Sequence, residues 1–114
     1  MLESKTTGPL ARTQVVSYAD FMAREEASEV KHEWHEDEGI FDMSGGTPEH
    51  SALAATTIAE LHGALRGRPC RVHDSNMAIQ IQDPKKRLVY PDASVVCGRF
   101  EADPENPNAM LNPS

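Results

Sequence analysis

One long segment of the chain has apolar residues at helical spacing. It follows the glycine-containing cluster 44–46, where Thr47 is suited to cap a helix and Pro48 to occupy its first position. The apolar residues then recur at intervals of four, three and four: Ala54, Ile58, Leu61 and Leu65. Gly67 is typical of the residue that ends a helix. The pattern predicts a helix from Pro48 to about Arg66 with one apolar face.

Shorter patterns before this helix predict a second helix and a hairpin. Ser17 precedes Asp20 by three residues, as in a helix capping pair, which favours a short helix over about Tyr18–Arg24. Segment 30–43 alternates apolar and polar residues around the acidic turn 36–39. Two short strands joined by this turn fit the alternation best.

The second half of the chain predicts further strands. The candidate segments are 70–73, 77–81 and 88–97. Residues 77–81 alternate as in a half-buried strand, and Pro91 marks a bulge, a bend or an edge because proline breaks the hydrogen-bond ladder. The tail from Glu101 is rich in proline and shows no periodicity, so no strand is predicted there. The element order predicts an α+β (mixed α/β) domain over residues 17–114, preceded by a flexible leader, 1–16.

Composition narrows the class of protein. The chain has 114 residues and a net charge of −7, from 11 basic and 18 acidic residues, which argues against binding nucleic acid through bulk positive charge. The negative net charge is still compatible with an enzyme that acts on nucleic acid, because metal-binding carboxylates make an active site acidic. No apolar run is long enough to span a membrane, and no apolar signal segment begins the chain, so we expect a cytoplasmic protein. Cys70 and Cys97 are expected to be reduced packing residues in strands.

Three residues are candidates for chemistry, and two of them have a plainer alternative. Asp92 follows Pro91 at a strand bend, where its carboxylate could hold a divalent cation or simply cap the turn. His50 falls in the first turn of the long helix, where it could face a phosphate or carry a proton, or be a surface residue. Glu33 could project from its strand as an auxiliary carboxylate. The basic turn 85–87 could contact a phosphate, although a solvated tip is the simpler interpretation.

Four segments in order resemble a known family: 27–34, 43–50, 65–72 and 90–97. The chain from about Tyr18 to Ser114 resembles the Uma-type family of proteins described as restriction endonucleases, within the PD-(D/E)XK nuclease superfamily. The resemblance implies a central mixed sheet flanked by helices. It also implies hydrolysis of DNA phosphodiester bonds at a site where an aspartate and a glutamate hold Mg²⁺. Asp92 matches the metal-binding aspartate, and Glu33 and His50 match recurring polar positions.

The chain departs from the family pattern at its end. In the family, a segment like 111–114 leads into a strand with the second catalytic carboxylate, and a following helix usually supplies a lysine. Here no residue follows Ser114, and no lysine follows Asp92. We therefore expect a domain without its C-terminal strand and helix, inactive alone, which forms homo-oligomers or binds a complementing fragment. The alternative is a non-catalytic remnant or interaction module completed by a partner strand.

Overall fold

A computed structural model describes residues 15–43, 46–82 and 84–114. The elements along the described chain are helices α1 (Tyr18–Ala27) and α2 (Pro48–Ala64) and strands β1 (His32–His35), β2 (Gly39–Asp42), β3 (Cys70–His73), β4 (Ala78–Ile81), β5 (Arg87–Val89), β6 (Ser94–Cys97), β7 (Ala102–Asp103) and β8 (Asn106–Met110). They form two compact units, the first from the described residues within 1–45 and 81–89 and the second from 46–80 and 90–114. Strand pairing is both parallel and antiparallel. The predicted α+β class with a mixed sheet, consistent with a restriction-endonuclease-like fold, is confirmed.

The first unit contains the predicted short helix and hairpin. Ser17 caps α1, since its hydroxyl oxygen accepts a hydrogen bond from the Asp20 N–H at 3.1 Å. Strands β2, β1 and β5 pair antiparallel in that order. Gly39 begins β2 with a φ of 100°, a left-handed conformation that glycine adopts without strain. Most of the predicted leader lies outside the described residues, as do residues 44, 45 and 83. Val16, the last residue of the predicted leader, is described and is buried in this unit.

Trp34 is the centre of the first unit's apolar core. It is buried on β1 with ring centroids 5.0 Å from Tyr18 and 6.2 Å from Phe21. Its indole N–H donates to the Val16 carbonyl at 2.9 Å, which satisfies the only polar group of the ring. Leu88 lies opposite Trp34 in the register of β5 and is also buried. Aromatic packing therefore joins α1 to β1, and Leu88 of β5 is the register partner of Trp34.

The second unit contains the long helix and two groups of strands. Strand β4 pairs parallel with β8, and β8 pairs antiparallel with β7. Strands β3 and β6 form a separate antiparallel pair, and α2 packs against β3. The buried apolar side chains of this unit are Ala78, Ile79, Val96, Ala109 and Met110. Its structure is therefore a mixed arrangement of strands with one helix on β3.

Helix α2 matches its prediction closely. The four residues of the predicted apolar face are half-buried, and the other α2 residues are exposed. Gly67 follows the helix with a φ of 83°, as expected for a glycine that ends a helix. No α2 residue is buried, and Leu53 is 67% exposed. Neither α2 nor α1 has the length and apolar character needed to cross a membrane, and no other helix is described.

Two predictions for the later strands are wrong. The tail is not structureless, because it forms β7 and β8, and Ala109 and Met110 are fully buried. Pro107 is tolerated in β8 because it falls beside a register shift between β7 and β8, where the hydrogen-bond ladder is interrupted. Strand β4 is not half-buried, since Ala78, Ile79 and Gln80 are all buried in succession. Non-local pairing with β8 produces both differences.

The expectation of reduced cysteines is also wrong. Cys70 and Cys97 form a disulfide between opposed register positions of β3 and β6, with their Cα atoms 3.9 Å apart. Neither side chain is a buried packing residue, since Cys70 is half-buried and Cys97 is exposed. The pairing was missed because a separation of 27 residues gives no local signal. The cytoplasmic location stays a prediction.

Candidate functional site

His50 is positioned by the first turn of α2. The Thr47 side-chain oxygen accepts a hydrogen bond from the His50 backbone N–H at 3.0 Å, which caps the helix and places His50 at its third position. Gly46 lies against the imidazole, since a Cβ atom added to this glycine would be 3.3 Å from His50 Cδ2. The cap therefore holds the backbone of His50, and Gly46 leaves space for its ring.

Asp92 meets His50 within the second unit. Asp92 follows Pro91 and lies two residues before β6. His50 Nε2 is 3.0 Å from Asp92 Oδ2, which is hydrogen-bonding distance. The His50 and Asp92 side chains are 52% and 59% exposed, so ligands in solution can reach both groups. The structure thus brings together two of the three residues that the sequence selected.

Glu33 belongs to the other unit. It lies on β1 opposite Phe41 in the register with β2, and it is half-buried. Its neighbour His32 has Nδ1 2.8 Å from Glu25 Oε1 and Nε2 3.5 Å from Asp42 Oδ1. Each nitrogen of the His32 ring therefore faces a different carboxylate, and these contacts join α1 to the hairpin. A role for Glu33 as an auxiliary carboxylate stays a prediction.

The donor atoms at His50 and Asp92 do not fit the Mg²⁺ that the resemblance implies. Mg²⁺ prefers oxygen ligands in octahedral geometry and is usually held by one or two carboxylates together with waters and substrate phosphates. The pair supplies one carboxylate and one imidazole nitrogen. Within the described residues, no group of three His, Cys, Asp or Glu side chains could hold a metal ion. Asp92 therefore lacks a second protein carboxylate for a magnesium site in this part of the chain.

The basic turn is engaged within the first unit. Lys85 Nζ is 3.1 Å from Asp37 Oδ2, and this hydrogen bond together with the charge of Asp37 raises the pKa of Lys85 above its ordinary value. Lys86 Nζ lies 4.7 Å from the centre of the Tyr18 ring, a cation–π distance. The Lys86 backbone N–H also donates to Glu36 Oε2 at 3.0 Å. These contacts join the turn to the hairpin and α1, and a phosphate contact here stays a prediction.

Several polar contacts in the second unit were not predicted from the sequence. Gln80 and Asp103 are both buried, and Gln80 Nε2 donates to Asp103 Oδ2 at 2.7 Å. His73 and Ser94 are opposed in the β3–β6 register, and the buried His73 Nε2 and Ser94 Oγ atoms have no hydrogen-bond partner among the described residues. The segments 70–73 and 77–81 were predicted as strands, but only the strand pairing brings these side chains together.

The comparisons with known proteins identify the family. The chain belongs to the Uma2 family, described as "Putative restriction endonuclease", whose model matches residues 18–113. The chain is also similar to a protein of Synechocystis sp. (strain ATCC 27184 / PCC 6803 / Kazusa), named "Uncharacterized protein slr1290", with 29% identity over 89 residues. This match covers 78% of the chain but 46% of the relative, so the chain spans about half the length of the curated relative. No solved structure matches the chain at a significant level.

Proposed function

We propose that this chain provides part of the active site of a DNA endonuclease, with Asp92 and His50 as its contribution. The contact between His50 Nε2 and Asp92 Oδ2 carries the proposal. The match to the Uma2 family supports a nuclease-like function in general. Both residues are candidates from their local sequence pattern and from the family resemblance, and their side chains are in contact and exposed.

The two residues have complementary roles in this proposal. Asp92 supplies an anionic oxygen for a cation that contacts the scissile phosphate, and His50 orients that carboxylate through its ring nitrogen. Phosphodiester hydrolysis of this kind usually depends on divalent cations that are held by more than one anionic group. Because Asp92 has no second carboxylate beside it in the described structure, we expect little or no hydrolysis by residues 1–114 alone.

A plasmid-nicking assay tests the proposal. With Mg²⁺, the chain alone is expected to nick supercoiled DNA no faster than its Asp92→Ala variant. Adding the unmatched half of the Synechocystis relative as a second polypeptide should raise nicking with wild-type chain and not with Asp92→Ala. The Glu105→Gln variant, changed at an exposed residue outside the site, should respond like the wild type. The proposal would be contradicted if the second polypeptide raised nicking by the Asp92→Ala variant as much as nicking by the wild type. It would also be contradicted if the second polypeptide raised nicking by neither chain.

A second candidate function is a module completed by a partner strand, and the outer edge of β6 favours it. Strand β3 covers one edge of β6. On the other edge, the Ser114 N–H donates to the Val95 carbonyl at 2.6 Å, and Ser114 Oγ accepts from the Cys97 N–H at 2.9 Å. Ser114 thus occupies one position along an edge where an extended segment of a complementing fragment could continue the pairing.

Amide exchange tests this second candidate. A synthetic strand peptide with alternating apolar residues, of the type that follows segment 111–114 in the family, is expected to slow exchange of the Val95 amide. The Met110 amide, on the buried strand β8, serves as the reference whose protection should not change. If the peptide leaves both amides unaffected at saturating concentration, the edge is not a docking site for such strands.

A further inference from the structure

We propose that four exposed arginines of the second unit bind the phosphate backbone of double-stranded DNA. These residues, called the arginine patch below, are Arg66, Arg68, Arg71 and Arg99. The choice of DNA rests on the proposed function, since the match to the Uma2 family supports a nuclease-like function. The patch includes neither residue of the candidate site.

The strand pairing brings the four arginines to one end of the β3–β6 pair. Next to the disulfide, the Gly98 N–H donates to the Pro69 carbonyl at 2.7 Å. The first three residues of the patch lie within three positions of Pro69 along the chain, and the fourth directly follows Gly98. Residues that are far apart in sequence therefore share one end of the strand pair.

Hydrogen bonds hold the backbone that carries the patch. The Arg68 N–H donates to the Leu65 carbonyl at 3.0 Å, and the Arg68 carbonyl accepts from the Cys70 N–H at 2.8 Å. The Arg99 carbonyl accepts from the side-chain amide of Asn112 at 2.8 Å. Because the backbone is held in both segments, a ligand has to order only the arginine side chains when it binds.

The patch concentrates the positive charge of the second unit. Its members are the only lysine or arginine residues in the sequence of this unit, and all four are exposed. None of them forms an ion pair with another described residue. No acidic residue occurs between Glu60 and Asp74, and the Asp74 carboxylate accepts a hydrogen bond from the Asn76 N–H at 2.9 Å. The positive charge of the patch is therefore available to an anionic ligand.

The dipole of α2 explains only part of this arrangement. Arg66 and Arg68 closely follow the end of the helix, where the dipole favours cations. This effect is confined to the last turn of a helix, so it does not account for Arg71 on β3 or for Arg99 after β6. A shared anionic ligand accounts for all four positions.

The basic turn of the first unit provides a contrast. Lys85 is paired with Asp37, and Lys86 lies over the Tyr18 ring. These lysines are engaged within the protein, whereas the arginines of the patch are exposed and form no described ion pair. Of the two basic segments, the patch is therefore the better site for an external anion.

The chemistry of arginine favours phosphate as the ligand. The guanidinium group is always charged, and its planar set of donors matches two oxygens of one phosphate. The net charge of −7 repels DNA at long range, but charges beyond about 8–10 Å are largely screened at physiological salt, so a local patch can still bind. Phosphate contacts position a protein on DNA and carry no sequence information. The patch therefore contributes affinity and orientation, and not recognition of a base sequence.

Salt-dependent binding of the full chain to DNA tests the proposal. A fluorescent duplex of roughly 20 base pairs is titrated in EDTA and followed by anisotropy; each phosphate contact contributes about −0.9 to the slope of log affinity against log salt. We expect a wild-type slope between about −3 and −4. Arg68→Gln and Arg99→Gln should each bring the slope about 0.9 closer to zero and weaken binding several-fold at low salt.

A matched control removes the same charge elsewhere. Arg24 is an exposed arginine in the last turn of α1, and Arg24→Gln should leave the slope unchanged. Arg68→Lys keeps the charge and should keep the wild-type slope, which separates loss of a phosphate contact from damage to the fold. The proposal would be overturned if the wild type did not bind the duplex, or if all three glutamine variants had the same slope.

Two further outcomes separate the patch from the nuclease and from other anionic surfaces. If the patch variants lose duplex binding but no complemented chain nicks plasmid DNA, the patch stands and the nuclease is rejected. If the complemented Arg68→Gln/Arg99→Gln variant nicks plasmid with unchanged dependence on DNA concentration, the nuclease stands and the patch is rejected. Binding of phosphatidylserine vesicles without binding of the duplex would assign the patch to a lipid surface and overturn the proposal.

Discussion

At the scale of single residues, His50 is placed by three neighbours of different kinds. Thr47 binds its backbone N–H, Gly46 leaves room beside its ring, and Asp92 contacts its Nε2 atom. Gly46 and Thr47 immediately precede α2, so the start of the helix determines where the imidazole lies. The geometry of the site therefore depends on residues that touch no ligand themselves.

The close approach of Gly46 gives the first prediction. In Gly46→Ala, the new methyl group would lie 3.3 Å from His50 Cδ2, closer than normal van der Waals contact, so the ring must move by a few tenths of an ångström. We expect a weaker contact between His50 Nε2 and Asp92 Oδ2, measured as a shift of the His50 ring resonances in the NMR spectrum. Gly63→Ala is the control, because a Cβ atom there meets nothing within 4 Å. Unchanged His50 ring resonances in both alanine variants would show that Gly46 does not position the ring.

The aromatic core of the first unit gives a second prediction at this scale. Phe21 is 1% exposed and stacks with Trp34, so Phe21→Ala should lower the free energy of unfolding by about 3–5 kcal/mol. The matched control is Phe100→Ala, at a position that is 38% exposed, which should cost much less. Urea denaturation followed by circular dichroism measures both. A similar loss in the two variants would contradict the assigned core.

The sequence predicted both residues of the candidate site, but not their contact. Asp92 was selected as a carboxylate at a strand bend and His50 as a polar group in a helix turn, each from local pattern and from the family resemblance. Whether two such residues meet depends on how α2 and β6 pack within the second unit, and no local rule carries that information. The disulfide was missed for the same reason, because only the register of β3 and β6 brings the cysteines together.

At the scale of elements, the apolar periodicity of the sequence predicted the helices and strands that are stabilised by contacts between residues close in sequence. Helix α2 and the β1–β2 hairpin are built from contacts close in sequence, and both appear where the apolar pattern indicated. Strand β8 has no such pattern, because its burial comes from pairing with β4. The proline in β8 lies beside a register shift, so the usual rule against proline in strands did not apply. The tail is thus part of the core of the second unit.

The β3–β6 pair gives a prediction at this scale. The disulfide closes a loop between positions 27 residues apart, and chain entropy predicts a stabilisation of about 3–4 kcal/mol at most. We expect the double variant Cys70→Ser/Cys97→Ser to unfold at lower urea concentration than the oxidised wild type. Reduced wild-type protein should unfold at the same urea concentration as the double variant. This comparison separates the loss of the disulfide from the effect of the serine side chains. Identical unfolding of oxidised and reduced wild type would show that the disulfide does not stabilise the fold.

At the scale of the whole molecule, two features leave surface suited to association. The apolar face of α2 is only half-buried, and the outer edge of β6 is paired with Ser114 alone among the described residues. Half-covered apolar surface and open strand edges both favour contact between copies of a chain. Self-association and binding of a complementing fragment stay predictions, and these two features are the surfaces where we expect them.

Sedimentation velocity tests whether α2 mediates association. We expect the wild-type chain to self-associate as its concentration rises, and Leu53→Asn to weaken this about tenfold or more, because burial of a leucine side chain contributes about 1.5–3 kcal/mol. Leu53 is 67% exposed on α2, and Val30, which is 64% exposed and lies outside α2, provides the control variant Val30→Asn. If the chain associated only through general hydrophobicity, Leu53→Asn and Val30→Asn would weaken self-association equally. A stable monomer at every concentration would instead mean that the exposed Leu53 side of α2 needs no partner. Stabilisation of the second unit would then rest on β4, β7 and β8 and on the disulfide-linked pair of β3 and β6.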